Sequence, residues 1–193
     1  DVYIEANFEG HVVPPGTYSL RLTADGKTVT TTGNIIQMPG FTTTEAQYKE
    51  YHSFMTEMED KLNQMHSRVN TLFDARQQLQ DILKEIGDAQ LRSEGNNLVE
   101  ALGIWDQEMV QRKSKAYDDV ENFPNKFTAE YLFLINHANS PVPRVTQSSR
   151  DRKKELDTQW ESLRSRAEGL LNTAIPNYNK QLWGAGIGAI RLK

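Results

Sequence analysis

The side chains able to ligate a metal or move a proton are His11, His52, His66 and His137, together with two carboxylate runs, Glu57, Glu59, Asp60 and Asp118, Asp119, Glu121. A helix-borne metal or proton site needs its ligands on one face, as in H-E-x-x-H or E-x-x-H, and a calcium loop needs regularly spaced acids. None of these patterns occurs. His52 and His66 lie on one helix-patterned stretch, too far apart to share an ion, and the other two histidines are scattered along the chain. There is no cysteine, so disulfides and thiolate metal sites are excluded. No G-x-S-x-G is present, and no serine stands in a nucleophile motif with a histidine and an acid. The glycines of "GAGIGAI" imitate a phosphate-binding loop, but such a loop needs a strand before it and a helix after it. Here they follow a helix close to the last residue, and read as a flexible tail. The sequence therefore assigns no catalytic, cofactor-binding or metal-ligating residue.

The remaining polar and aromatic clusters read as surface or core. A glycosidase needs two carboxylates facing each other across a cleft, and runs such as Asp118, Asp119, Glu121 on helical segments are ordinarily solvated. Arg150, Arg152, Lys153 and Lys154 are followed at once by Glu155 and Asp157, which makes a mixed-sign surface and not a nucleic-acid patch. Trp105 and Trp160 fall on heptad stripes and read as core, as do Met55, Met58 and Met65. Arg76 stands alone as a charge within an apolar seam, where it either snorkels at an edge or pairs with a carboxylate of a neighbouring helix.

The elements that must position these residues come in two kinds. Residues 12–38, "VVPPGTYSLRLTADGKTVTTTGNIIQM", read as two strands. Tyr18, Leu20 and Leu22 alternate with Ser19 and Arg21, and Asp25-Gly26 is the strongest short hairpin signal because glycine tolerates positive φ. Pro14-Pro15-Gly16 turns the chain at the entry, and residues 35–38 are expected to extend the return strand. Two strands cannot bury enough apolar surface to stand alone. The hairpin is therefore expected to lean on the helices, to borrow residues 2–8 as a third strand, or to pair with another chain, with Tyr18, Leu20 and Leu22 facing that cover.

After Pro39-Gly40 the period changes to that of a helix. Thr44 with Gln47 fits a capping box, and Tyr51, Met55, Met58, Leu62, Met65, Val69, Leu72, Leu79, Leu83 and Ile86 form one heptad stripe closed by Gly87 as the residue past the cap. At 1.5 Å per residue such a helix is about 60 Å long. A second helix is expected over residues 88–117, with Leu91, Leu98, Leu102, Trp105 and Met109 on its stripe and Gly95 and Gly103 weakening it locally. A short apolar helix covers residues 128–137. A fourth covers residues 146–173, with Leu156, Trp160, Leu163, Ala167, Leu170 and Ala174 in phase, and Pro176 ends or kinks it. The fold class is mainly α: an elongated antiparallel bundle of three long helices and one short, preceded by a β-hairpin or three-stranded antiparallel sheet. Residues 1–40 form the hairpin part and residues 41–193 the bundle.

Composition bounds the rest. The 193 residues suit one ordinary domain or a domain with a small attachment, and a net charge of -4 gives no electrostatic reason to expect nucleic acid. No apolar run is long enough to span a bilayer. The chain opens on Asp1 without a signal peptide, which reads as a processed or excised piece.

The order of these segments, "VPPGTYSLRLTADGKT" running into "LNQMHSRVNTLFDARQQLQ", then "VENFPNKFTAEYLFLINHANSPVPRVTQSSRDRKKELDTQWESL" and "IPNYNKQL", resembles the C-terminal region of bacterial sortilin-like β-propeller proteins, often labelled glycosyl hydrolases with BNR or Asp-box repeats. The resemblance covers the chain from Val12 onward. It implies that a propeller precedes an Ig-like segment ending in this hairpin, and that the setting is extracytoplasmic: periplasmic, secreted or cell-surface. The S-x-D-x-G-x-T-W boxes of the propeller are absent here, so no catalytic residue is carried over. The expected function is a non-catalytic C-terminal module that packs against the upstream propeller or holds a protein or glycan partner; the closed bundle is expected to be a monomer, with no cofactor. Two alternatives stand beside it. One is an accessory domain completing a hydrolase cleft, with Asp118, Asp119 or Glu121 lining a pocket at raised pKa. The other is a homo-oligomerising coiled coil.

Overall fold

The computed structural model describes residues 10–140 and 142–192. Among these the architecture is mainly helical, with four helices and a two-stranded antiparallel hairpin ahead of them. Strands β1 (Gly16–Ala24) and β2 (Lys27–Ile35) pair from Gly16↔Ile35 to Ala24↔Lys27 without a bulge. The two-residue connection is Asp25-Gly26, with φ of 50° and 72°. Both residues are left-handed, as a type I′ turn demands, and its twist matches that of the strands it joins. β2 stops at Ile35, short of the expected Met38.

Helix α1 (Glu45–Glu85) starts on the Thr44/Gln47 capping box and buries every residue of the predicted stripe. Arg76 does not interrupt the seam. Ala75 takes the buried position between Leu72 and Leu79, and Arg76 lies half-buried over Gly103, where a Cβ would stand 3.0 Å from its guanidinium. Among the described residues no carboxylate pairs with it, so of the two alternatives for Arg76 the ion pair is not the one seen there. The helix ends on Ile86 in an extended conformation, its carbonyl accepting from the Arg92 guanidinium, and Gly87 does not adopt the left-handed form.

Helix α2 (Ala89–Met109) begins on Asp88, whose carboxylate accepts from the Leu91 N–H at 2.7 Å. It stops eight residues before the expected end at 117. Thr128 donates its hydroxyl to the Met109 carbonyl at 2.8 Å, and Arg112 folds back in a two-pronged bond to buried Asp106, both at 2.6 Å. These contacts close the helix end and turn the chain. Gly95 and Gly103 are places of close approach and not mere weak points: a Cβ on Gly95 would stand 2.3 Å from the Tyr178 hydroxyl and 2.5 Å from Leu83.

Helix α3 (Phe127–Ala138) is the short apolar helix. Helix α4 (Gln147–Gly169) passes through a π-helical turn (Leu170–Ala174) into α5 (Ile175–Gly184), so that the three segments form one uninterrupted rod. Pro176 neither ends nor breaks it. A π turn takes one extra residue, and Pro176 follows at the start of α5, where its missing N–H costs least. The extra residue shifts the stripe. Leu156, Trp160, Leu163 and Ala167 are buried in α4, but the next buried residues are Ile175, Tyr178 and Leu182, while Leu170 and Ala174 are only partly covered.

The helices share one continuous core. Inside it the Trp105 indole donates to the Leu163 carbonyl at 2.8 Å, and Trp160 stacks on Phe127 with centroids 6.2 Å apart. The glycine-rich end is not a free tail. Ile190 is buried, Asn179 exchanges two hydrogen bonds with its main chain (2.8 and 3.0 Å), and Gln78 does the same for Arg191 (both 3.0 Å).

Candidate functional site

Two features lie outside the bundle core: the hairpin, and the segment that leads into it. The hairpin's period places Tyr18, Leu20, Leu22, Val29 and Ile35 on one face, with Thr17, Ser19, Arg21, Thr28, Thr30, Thr32 and Asn34 on the other. The apolar face is open. Leu20, Leu22, Val29 and Ile35 are exposed, Tyr18 is half-buried, and none of them joins the core. The expectation that the hairpin leans on the helices therefore fails, and the reason is geometric. The bundle's stripes are already satisfied by one another, and the large apolar side chains its helices do expose, Ile104, Phe133 and Trp183, sit on three different helices. A third strand from residues 2–8 lies outside the described residues. Both outer edges of the hairpin are unpaired among the described residues.

The second feature brings together histidines that the sequence separates. His11 is almost fully buried against the first turns of α1, its side chain 7% exposed. Its Nδ1 lies 2.9 Å from Glu59 Oε1, which also accepts from the His11 main-chain N–H at 3.3 Å. Its Nε2 lies 2.7 Å from His52 Nδ1. The Tyr51 ring meets His11 edge-on at 5.9 Å, and the Tyr51 hydroxyl donates to Asn139 Oδ1 at 3.0 Å. Burial, and then the charge of Glu59, push the Tyr51 hydroxyl above its ordinary pKa. His11 and His52 are 41 residues apart in sequence, so no short motif marks them. The signal is the hairpin itself: two strands of equal length return the chain to where it entered, beside the start of α1.

This is a carboxylate–imidazole–imidazole chain without a nucleophile. Among the described residues no hydroxyl is hydrogen-bonded to either imidazole, and no group of three or more His, Asp or Glu side chains is arranged to hold a metal ion. Both ring nitrogens of His11 are already engaged, so they do not converge with other ligands on a point. The arrangement can hold or pass a proton. His66 and His137 are elsewhere and exposed.

The other carboxylates and the indoles occupy separate places. Asp119 accepts from the main-chain N–H groups of Lys115 and Ala116, at 2.6 and 3.1 Å, and these bonds hold its carboxyl below the ordinary value; Asp118 and Glu121 are exposed. Glu57 belongs to a network in which Lys61 and Lys153 each bind both Glu57 and Asp157, at 2.7 to 2.9 Å, and buried Tyr131 donates to Asp157 at 3.0 Å. Burial raises the Asp157 pKa, but the bonds from Lys153 and Lys61 outweigh it and hold the carboxyl low. The same burial, followed by the Asp157 charge, pushes Tyr131 far up. Trp105 and Trp160 are core, and Trp183 is exposed near the end of α5.

No family model matches the chain, and no curated protein or solved structure matches it either. No helix among the described residues is long and apolar enough to cross a membrane.

Proposed function

We propose that this chain is a non-catalytic interaction module of a larger extracytoplasmic β-propeller protein, in which the hairpin supplies two strands to an Ig-like sheet and the helical bundle is the rigid body behind them. The observation that carries this reading is the open apolar face of a regular hairpin whose two edges are also unpaired among the described residues. Exposed faces and edges of this kind are templates for another sheet.

Magnitudes favour a sheet over a second copy of the chain. Two nine-residue strands present a face of ~30 by ~10 Å, or ~300 Å². A stable interface buries about 800 Å² from each partner. Face-to-face pairing of two hairpins therefore falls short, whereas a partner sheet gains the face and the main-chain hydrogen bonds of an edge together. The heptad stripes are consumed inside the bundle, which removes the motive for a coiled-coil oligomer and favours a monomer. The low pKa and main-chain bonds of Asp119 suit a turn-capping carboxylate and disfavour a general acid at a hydrolase cleft.

The test is amide exchange of residues 17–38 in this chain alone and in a chain extended upstream into the parent protein. Protection of the hairpin should rise with the extension, while that of α1 stays constant. Hairpin protection already equal to that of α1, and unmoved by the extension, would overturn the reading.

A further inference from the structure

The approach to β1 is fastened to α1 by a hydrogen-bond chain whose proton count is limited by geometry. Glu59 accepts twice from His11, from the main-chain N–H and from Nδ1, so Nδ1 carries a proton. The 2.7 Å contact between His11 Nε2 and His52 Nδ1 is a hydrogen bond between two ring nitrogens, and such a bond holds one proton between them. The docked pair can thus be neutral, or carry one positive charge on either ring. A second charge would set two N–H groups against each other and two cations with ring centroids 4.9 Å apart.

Among the described residues the groups facing the pair are few. From α1 they are Glu59, His52 itself and Tyr51, whose hydroxyl donates to the uncharged Asn139 after α3. Among the described residues Glu59 has no ion-pair partner other than His11. The fastening is coupled to the hairpin through a stiff connection. Pro14 and Pro15 fix their own φ angles, and the Tyr18 hydroxyl donates to the Pro14 carbonyl at 2.6 Å, which binds β1 to the segment that carries His11.

We propose that His11 and His52 form a proton-gated latch, which holds the root of the hairpin on α1 while the two rings share a proton and releases it when both are charged. The direction follows from proton counting. Released, each ring can accept a proton of its own. Docked, the pair takes up one of the two, so the released state binds more protons in acid and docking weakens as pH falls. The latch is independent of what covers the hairpin's apolar face.

The experiment follows the His11 amide of the whole chain by NMR-detected hydrogen exchange. Between about pH 7.5 and about pH 5, where carboxylates of ordinary strength stay ionised, its protection factor should fall by at least ~10-fold, with the amides of Met65 and Leu72 unchanged. His52→Phe keeps an aromatic ring at an exposed position, and its helical circular dichroism should match that of the parent chain. In this variant the His11 protection, whether high or low, should no longer fall as pH falls. Protection that is flat in the parent chain, or that falls equally in His52→Phe, overturns the latch.

Discussion

Leu20, Leu22 and Val29 on the hairpin and Met65, Leu72 and Leu79 on α1 are apolar side chains set at the regular period of their own element. The first three are 57, 67 and 67% exposed; the second three are 0, 1 and 0% exposed. The difference lies in what the rest of the chain can bring to each. A helix stripe is covered by the chain's own later helices, which carry stripes of the same period. A two-stranded sheet has no second layer unless another sheet or helix supplies one, and here every helix has spent its stripe on the bundle. Regular patterning therefore predicts which face is apolar, but not that the face is covered.

The comparison breaks most directly by truncating one side chain in each region. Leu72→Ala should cost about 2–5 kcal/mol, by lost transfer energy plus the cavity left behind. Leu22→Ala should move stability by no more than about 0.5 kcal/mol, as an exposed substitution does. Urea unfolding followed by helical circular dichroism measures both, and equal losses would mean that the hairpin is part of the cooperative core.

Gly95→Ala tests how tightly the bundle is closed. Helix propensity alone favours alanine by roughly 1 kcal/mol. The added Cβ would meet Tyr178 and Leu83 well inside contact distance, so the net expectation is a loss of about 1–3 kcal/mol. The bond from the Tyr178 hydroxyl to the Leu91 carbonyl, at 2.9 Å, should be lost with it. A gain in unfolding midpoint would show that α5 yields without cost.

Asp157→Asn gives a smaller effect, about 1–2 kcal/mol, through lost charged hydrogen bonds to Lys61 and Lys153. The Asp157 carboxyl is held low in the folded chain. Its contribution is therefore complete above the unfolded carboxyl value of about 3.9 and is lost as pH falls through the lower folded value. Stability of the parent chain should drop in that acid range, and the drop should be shallower in the variant. Exchange protection of the hairpin should follow neither change.

Much of this was legible from the residues because the information is local. Asp25-Gly26 fixes a turn that only left-handed residues make, Thr44 with Gln47 fixes a helix start, and the ten-position stripe of α1 needs no partner to be recognised. The end of α2 is not legible locally because it depends on Thr128 and Arg112, groups that reach the last turn only after the chain has left the helix. The candidate site was not legible as a motif: His11 and His52 carry no shared pattern, and only the return of the hairpin places them side by side.

By itself, then, the sequence determined the two periods, the caps and turn, and the identity of each apolar face, since these follow from backbone sterics and side-chain spacing within a few residues. The π turn shows where that reach ends. Ile175, Tyr178 and Leu182 are spaced as a helix stripe but lie one residue out of phase with Leu163 and Ala167, and only packing against α1 and α2 decides that the helix widens to bring both sets inward. Tertiary structure likewise decided that Arg76 lies over Gly103, that Ile190 is held by Asn179 and Arg191 by Gln78, and that the hairpin's face stays open. Each of these depends on which surface is left unfilled once the helices have met, and that quantity belongs to the assembled bundle and not to any one segment.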